Sequence, residues 1–325
     1  MEEMQSSEAI RVPGIGGGIG SGIGWQGARQ VLTVDVISAH PAFHRYLREQ
    51  SGLLVQAYES NPQRATVFAT QPRWLMAHAA FSLYFRASGA GEGLNAARFV
   101  ELVSLHDVAS RDTASAFLKE MLKHGYARQV PAVADRRRRP LEPTRESIDA
   151  VHGWVAVHLA TLDKLDGGHR VATFLANPGA LATLQPLIAD GLLSAAGVRA
   201  AEETSRLSAG SVGSVVVEWL IAGIGEIEPG AERIPTAVVS AAEMAGWLKL
   251  SATHLAHKLA VAEKMGSIGW LGKRGQSVMW ISDGFHREYT RAQAAKLAVI
   301  DAAFATCHLP GDAANDSEPE ERAAD

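Results

Sequence analysis

Among 325 residues there is a single cysteine, Cys307. That excludes an internal disulfide framework and any cysteine-rich zinc site. Long apolar runs are missing too, and no stretch approaches the roughly 18 continuous apolar residues of a membrane-spanning helix. The opening, MEEMQSSEAIRV, lacks the basic start and apolar run of a secretory leader. A cytoplasmic protein with no membrane partner is the expectation. Net positive charge is also absent, at −4, which argues weakly against nucleic acid, although an average says nothing about distribution.

Catalytic signatures are thin as well. Twelve histidines invite a metal, yet His-Glu-x-x-His does not occur and no cysteine cluster supports them. His254 and His257 stand three apart and read as a groove-facing or solvated pair. Ser82, Ser104 and Ser211 have no nucleophile-elbow surroundings. The run PGIGGGIGSGIGWQG lacks the lysine of a nucleotide loop and reads as a flexible lead. No catalytic residue, metal or cofactor is expected, and the chain does not read as an enzyme.

What is present is locally concentrated charge. Between Arg98 and Arg145 ten arginines and lysines face six acids, and between Ser251 and Gly275 four face one. The apolar fraction of 47% is near the globular norm, so most of the chain should fold, and the length allows two ordinary cores. Residues 31–37, VLTVDVI, read as a β-like run. HPAFHRYLREQSGLLVQAYES then reads as one broken or two short helices. Pro72 suits the first turn of a helix carrying Trp74, His78, Phe81 and Phe85, and an apolar helix follows over 94–108.

Ser110 can cap a helix in which Ala114, Phe117, Leu118, Met121 and Leu122 recur at threes and fours. Gly125 stops that helix in the manner of a left-handed cap. A short β-capable run, the loop DRRRRP and a second short arm lead to Thr144 and a long helix. A shift of 141 residues places Ser110 on Ser251, Leu118 on Leu259 and Gly125 on Gly266, and a hairpin, IGW-LGKRGQ-SVMWIS, follows the second glycine. Duplication is the reading of that shared order. Residues 226–235, EIEPGAERIP, read as a polar connector, and Pro178-Gly179 and Pro186 as interruptions between helical pieces.

Ser110 to Thr144 resembles the recognition helix and wing of MarR-family transcriptional regulators. Asp135, Arg137, Leu141 and Thr144 fall at the spacing of that family's wing. The resemblance covers roughly residues 70–165 and extends to 211–306 only as a general winged-helix pattern. It implies that Arg137 enters the minor groove while Asp135 orients the wing. It also implies pairing of modules through their terminal helices, and a small-molecule effector.

The expected fold is therefore mainly α with small β-hairpin wings, as tandem winged helix-turn-helix modules. A flexible lead (1–30) would precede a first module (31–166), a second (167–308) and a disordered acidic tail (309–325). The expected function is sequence-specific binding of double-stranded DNA in transcriptional regulation. Arg111, Thr113 and Ser115 would face bases, Lys119 and Lys123 phosphates, and Arg136, Arg137, Arg138 and Arg139 the minor groove. The second module offers Thr253, His254, His257 and Lys258, with Lys273 and Arg274 in its wing. Trp74, His78, Phe81, Phe85 and Trp154 would line an effector pocket. Either whole chains pair as a homodimer or the two modules pair within one chain, the stronger signal of the first module favouring the homodimer. A winged-helix protein-interaction scaffold and a replication or partition factor are the alternatives.

Overall fold

A computed structural model describes residues 30–61, 67–68, 70–87, 93–130, 140–195, 213–247, 249 and 251–307. Asp135, Arg136, Arg137, Arg138 and Arg139, residues 1–29, residues 308–325 and the side chain of His254 lie outside the described set. The fold is mainly helical with small antiparallel sheets. Its first half runs α1 (Val34–Ala39), α2 (Phe43–Ser60), α3 (Gln71–Arg86), α4 (Ala96–Leu105), α5 (Arg111–Lys123), β1 (Ala127–Gln129), β2 (Leu141–Pro143) and α6 (Arg145–Asp166). The second half runs α7 (Arg170–Ala176), α8 (Ala180–Ser194), α9 (Gly213–Ala222), β3 (Arg233–Pro235), α10 (Ala241–Trp247), α11 (Ala252–Lys264), β4 (Ile268–Trp270), β5 (Met279–Ser282) and α12 (Asp283–Thr306).

Local chemistry explains most boundaries. Asn95, Ser110 and Ser282 each accept a hydrogen bond from a backbone amide of the first turn that they cap. Gly125 and Gly266 adopt φ of +71°, a conformation that glycine reaches without a Cβ clash, and so end α5 and α11. Four expectations are corrected. Residues 34–39 are helical rather than β-like, because Thr33 caps the amide of Val36 and Asp35 sits in the first turn; capping and the burial of Ile37 override β-branched propensity. Residues 43–60 form one helix through Gly52. Residues 233–235 of the expected connector form β3, which pairs with β5. Pro186 also lies inside α8, where buried Leu184, Ile188 and Leu192 hold the helix across one missing amide donor.

The two halves repeat in detail. Adding 141 to both ends of α5 gives both ends of α11, and the same offset carries β1 onto β4. After the hairpin the offset becomes 138: β2 starts at Leu141 and β5 at Met279, α6 at Arg145 and α12 at Asp283. The register is conserved across the shorter loop, with Ala127 opposite Pro143 and Ile268 opposite Ile281. The third strand position is filled by β3 in the second half. In the first half Leu94 supplies one carbonyl to Leu141 N–H at 2.8 Å, as Val238 does to Met279 N–H at 2.7 Å.

Packing between the halves is reciprocal. α2 lies along α9 and α8 along α3, α1 meets α12 and α7 meets α6, and the long helices α6 and α12 touch each other. One hydrophobic cluster joins the first half to α7, α8 and the end of α12 through Phe99, Phe117, Leu159, Leu184, Leu297 and Phe304. A second cluster, with Leu220, Leu255, Leu259, Ile281 and Phe285, holds α9, α11 and the hairpin of the second half. Burying each such side chain contributes roughly 1.5–3 kcal/mol. α12 enters both clusters.

At the junction stands a buried ionic group. The Arg170 side chain is 1% exposed, donating to Asp301 Oδ1 from Nε at 2.8 Å and to Asp163 Oδ1 at 3.0 Å. Asp166 takes two further bonds from it. Burial disfavours the charged guanidinium, but its bonds to Asp166 and Asp301 outweigh burial and raise its pKa above the ordinary arginine value. Asp163 also accepts the amides of Arg170 and Val171, both at 2.9 Å, while Asp301 accepts the amide of Leu32 at 2.7 Å. The expected boundary between 166 and 167 thus falls at a left-handed helix end, Gly167, after which α7 folds back on α6.

Removing Asp301 leaves the buried Arg170 Nε and the Leu32 amide without their acceptor. Asp301→Ala is expected to lower unfolding stability by about 3–5 kcal/mol in urea titration. Asp149→Ala, which breaks the exposed Arg145–Asp149 pair, should change it by less than about 1 kcal/mol. Equal losses in the two variants would contradict the account.

Candidate functional site

α5 buries Ala114, Phe117, Leu118 and Met121 and turns Arg111, Thr113, Lys119 and Lys123 to solvent, with Ser115 half-buried beside them. The helix is held from behind by α3. Arg73 pairs with Glu120 at 2.7 Å and lies over the Phe117 ring at 5.3 Å. The outward face therefore combines two hydroxyls and three cations beside the exposed Asp112 of the capped first turn, groups suited to anionic oxygens and to hydrogen-bonding edges.

α11 repeats the arrangement with different chemistry. Thr253, His257 and Lys264 are exposed and Lys258 is half-buried. In its hairpin Lys273 is exposed, whereas Arg274 is tied to Glu263, its Nε lying 3.0 Å from Oε2. Trp270 Nε1 donates to the same carboxylate at 2.9 Å. The tip is closed by Gly272 N–H donating to Ser277 Oγ and by Ser277 donating to the Lys273 carbonyl. Of the two hairpin cations only Lys273 points free of its own helix.

A cavity of about 160 Å³ opens between α2, α3 and α6. Trp74, His78, Phe81 and Trp154 line it, and sequence spacing brought these four together. Phe85 does not line it: its ring packs on Phe81 and Tyr84. Sequence reasoning missed Leu54 and Tyr58 from α2, and Phe68, which stands between the elements as an edge-on partner of Phe117 and Tyr126. Phe68 thus joins the cavity wall to α5, and Arg73 ties α3 to the same helix. The floor is open because α6 carries Ser147, Ala150 and Gly153 there. At matching positions, 138 further, α12 carries Phe285, Glu288 and Arg291. Phe285 is buried there, and Tyr289 on the same helix donates to Glu218 at 2.9 Å.

Behind the cavity's largely apolar lining lies a buried polar cluster. Gln185 Nε2 stands 2.8 Å from His78 Nδ1; an amide nitrogen only donates, so that ring nitrogen accepts. His158 Nδ1 donates to the Trp154 carbonyl at 2.8 Å. Burial, and then the positive charge of Lys296, push His78 down to about 3. Burial and Lys296 also bring His158 down to about 3. Lys296 itself lies over the Trp74 ring at 5.1 Å. Burial pushes Glu218 upward, against Lys296 and the hydroxyls of Ser51 and Tyr289.

No family model, no curated protein and no solved structure matches the chain. Among the described residues no three of His, Cys, Asp and Glu are grouped to hold a metal ion, and no helix is long and apolar enough to cross a membrane.

The histidines make acid sensitivity predictable. Below about pH 6.5 the unfolded chain protonates these rings, whereas the folded chain does not until near pH 3. Stability is therefore lost as pH falls through that window, by roughly 2 kcal/mol per ring between pH 6.5 and 4.5. Melting temperatures across this range should drop steeply, and His78→Gln should flatten the slope. A variant that keeps the wild-type slope would refute buried neutral His78.

Proposed function

We propose that the chain is a sequence-specific double-stranded DNA-binding transcriptional regulator built from two winged-helix modules. One observation carries this reading: α5 and α11 are helices of equal length with the same left-handed glycine stop and the same hairpin register, each with a polar, partly basic face turned outward. Such a helix fits the major groove, and the hairpin behind it reaches flanking backbone or minor groove. The resemblance of Asp135, Arg137, Leu141 and Thr144 to the MarR-family wing supports the same assignment. In this reading Arg111, Thr113 and Ser115 face base edges, Lys119 and Lys123 neutralise phosphates, and Arg136 to Arg139 form the first wing. Thr253, His254, His257 and Lys258 read through the second helix, with Lys273 on the backbone.

The test is binding to a mixed-sequence duplex by fluorescence anisotropy across a salt series. Affinity should fall steeply with salt, and the slope of log K against log salt should shrink by about 1 for each of Lys119→Ala and Lys123→Ala. Binding that is absent at low salt would remove this reading in favour of an interaction scaffold.

The cavity serves regulation in this proposal. Its neutral, aromatic lining suits an uncharged aromatic effector, and Phe68 and Arg73 pass a change at the wall to α5. 2-Naphthol is expected to quench Trp74 and Trp154 fluorescence saturably and to shift DNA affinity at least threefold. Ala150→Trp should abolish both effects while leaving ligand-free DNA affinity within twofold. Unsaturable quenching, or quenching that survives Ala150→Trp, would take the effector away from this cavity.

A further inference from the structure

We propose that one chain, without a second copy, forms the complete DNA-reading unit and that its two half-sites differ in sequence; the half-site part rests on the DNA-binding reading above. The packing between the halves is the packing of a two-fold dimer written into one chain. Each half lays its opening helices on the other: α2 on α9 and α8 on α3, α1 on α12 and α7 on α6. The two carboxylates at the crossing are equivalent, Asp163 on α6 and Asp301 on α12, 138 residues apart. Each accepts the backbone amide that leads into the opening helix of the opposite half, Arg170 for Asp163 and Leu32 for Asp301.

One side chain breaks that symmetry and closes the junction. Arg170 spans both carboxylates with its guanidinium buried, while the first half has Leu32 at the corresponding place. The surface on which the first half would receive a second chain is therefore covered by the second half. A homodimer through these helices would require the buried Arg170 group to open and leave charge unpaired.

The two outward faces are correspondingly unlike. α5 offers Arg111, Lys119 and Lys123 in solvent. α11 offers His257 and Lys264, and at the position of Leu122 it carries Glu263, which captures Arg274 and the Trp270 indole. Glu263 thus withdraws one wing cation from phosphate, and the exposed Asp112 of α5, an acceptor suited to a cytosine amino group, has Thr253 at its place on α11. Two identical half-sites do not fit two such faces. The preferred duplex is an asymmetric site with two unlike halves, each owned by one module.

Light scattering of the full chain, alone and with a duplex selected from a random library, tests this. The free protein should keep the mass of one chain, 34.6 kDa, across a hundredfold range of concentration, and the complex should hold one chain per duplex. Replacing either half of the selected duplex by an inverted copy of the other should weaken binding at least tenfold. Lys119→Ala should reduce protection from hydroxyl-radical cleavage in one half, and Lys273→Ala in the other. A two-chain mass, two chains per duplex, or tighter binding to the palindromised duplex would overturn this inference while leaving DNA binding intact. No binding to any duplex would instead remove the DNA reading and its half-sites together, and the free mass would still decide the one-chain assembly.

Discussion

The architecture depends on one buried guanidinium. Arg170 sits where α6, α7 and α12 meet, and its carboxylate partners come from both long helices. A charge in that position is tolerable only while its bonds are made, so the geometry of the two helices is specified together with the bonding. Because Asp163 and Asp301 also take the backbone amides that open α7 and lead into α1, the same group fixes where each half begins on the other. The outward helices inherit their relative placement from this junction, through the long helices that carry the hairpins.

A second consequence is inequivalence. Gene-like repetition of elements gives both halves the same backbone plan, yet the side chains at matched positions have diverged. Small residues on α6 leave a cavity beside Trp74 and Trp154, and bulky or charged residues on α12 occupy the matched face. The cavity reaches α5 through Phe68, and α3, which lines it, is tied to α5 by the Arg73–Glu120 pair, so occupancy is felt first by one outward helix. On the other side Glu218 is engaged by Ser51 and Tyr289, a polar closure rather than a ligand space.

Much of this was legible because its rules are local. Serine caps, glycine stops and threefold-fourfold apolar spacing identified α5, α11 and their common order. Four cavity residues followed from helical spacing on α3 and α6. The rest was long-range. β3 is three residues in a polar stretch, and only its pairing with β5 makes it a strand. Residues 31–37 carry β-branched side chains, and the cap at Thr33 with the burial of Ile37 decides for helix. The loop in the second hairpin is three residues shorter, which hides from a single offset that α6 and α12, and hence Asp163 and Asp301, correspond. Leu54, Tyr58 and Phe68 reach the cavity from elements that sequence distance does not connect to it. The reciprocal packing of the halves leaves no periodic trace at all.

The central claim, that α5 and α11 of one chain face the same duplex, is most directly measured by tethered cleavage. The chain's one cysteine, Cys307, is buried, so an iron chelate can be placed selectively on Thr113→Cys or Thr253→Cys. With a single duplex, the account predicts two separate clusters of strand cleavage, one per variant, in different halves of the site. Cleavage by both variants at the same positions, or by neither, would contradict it.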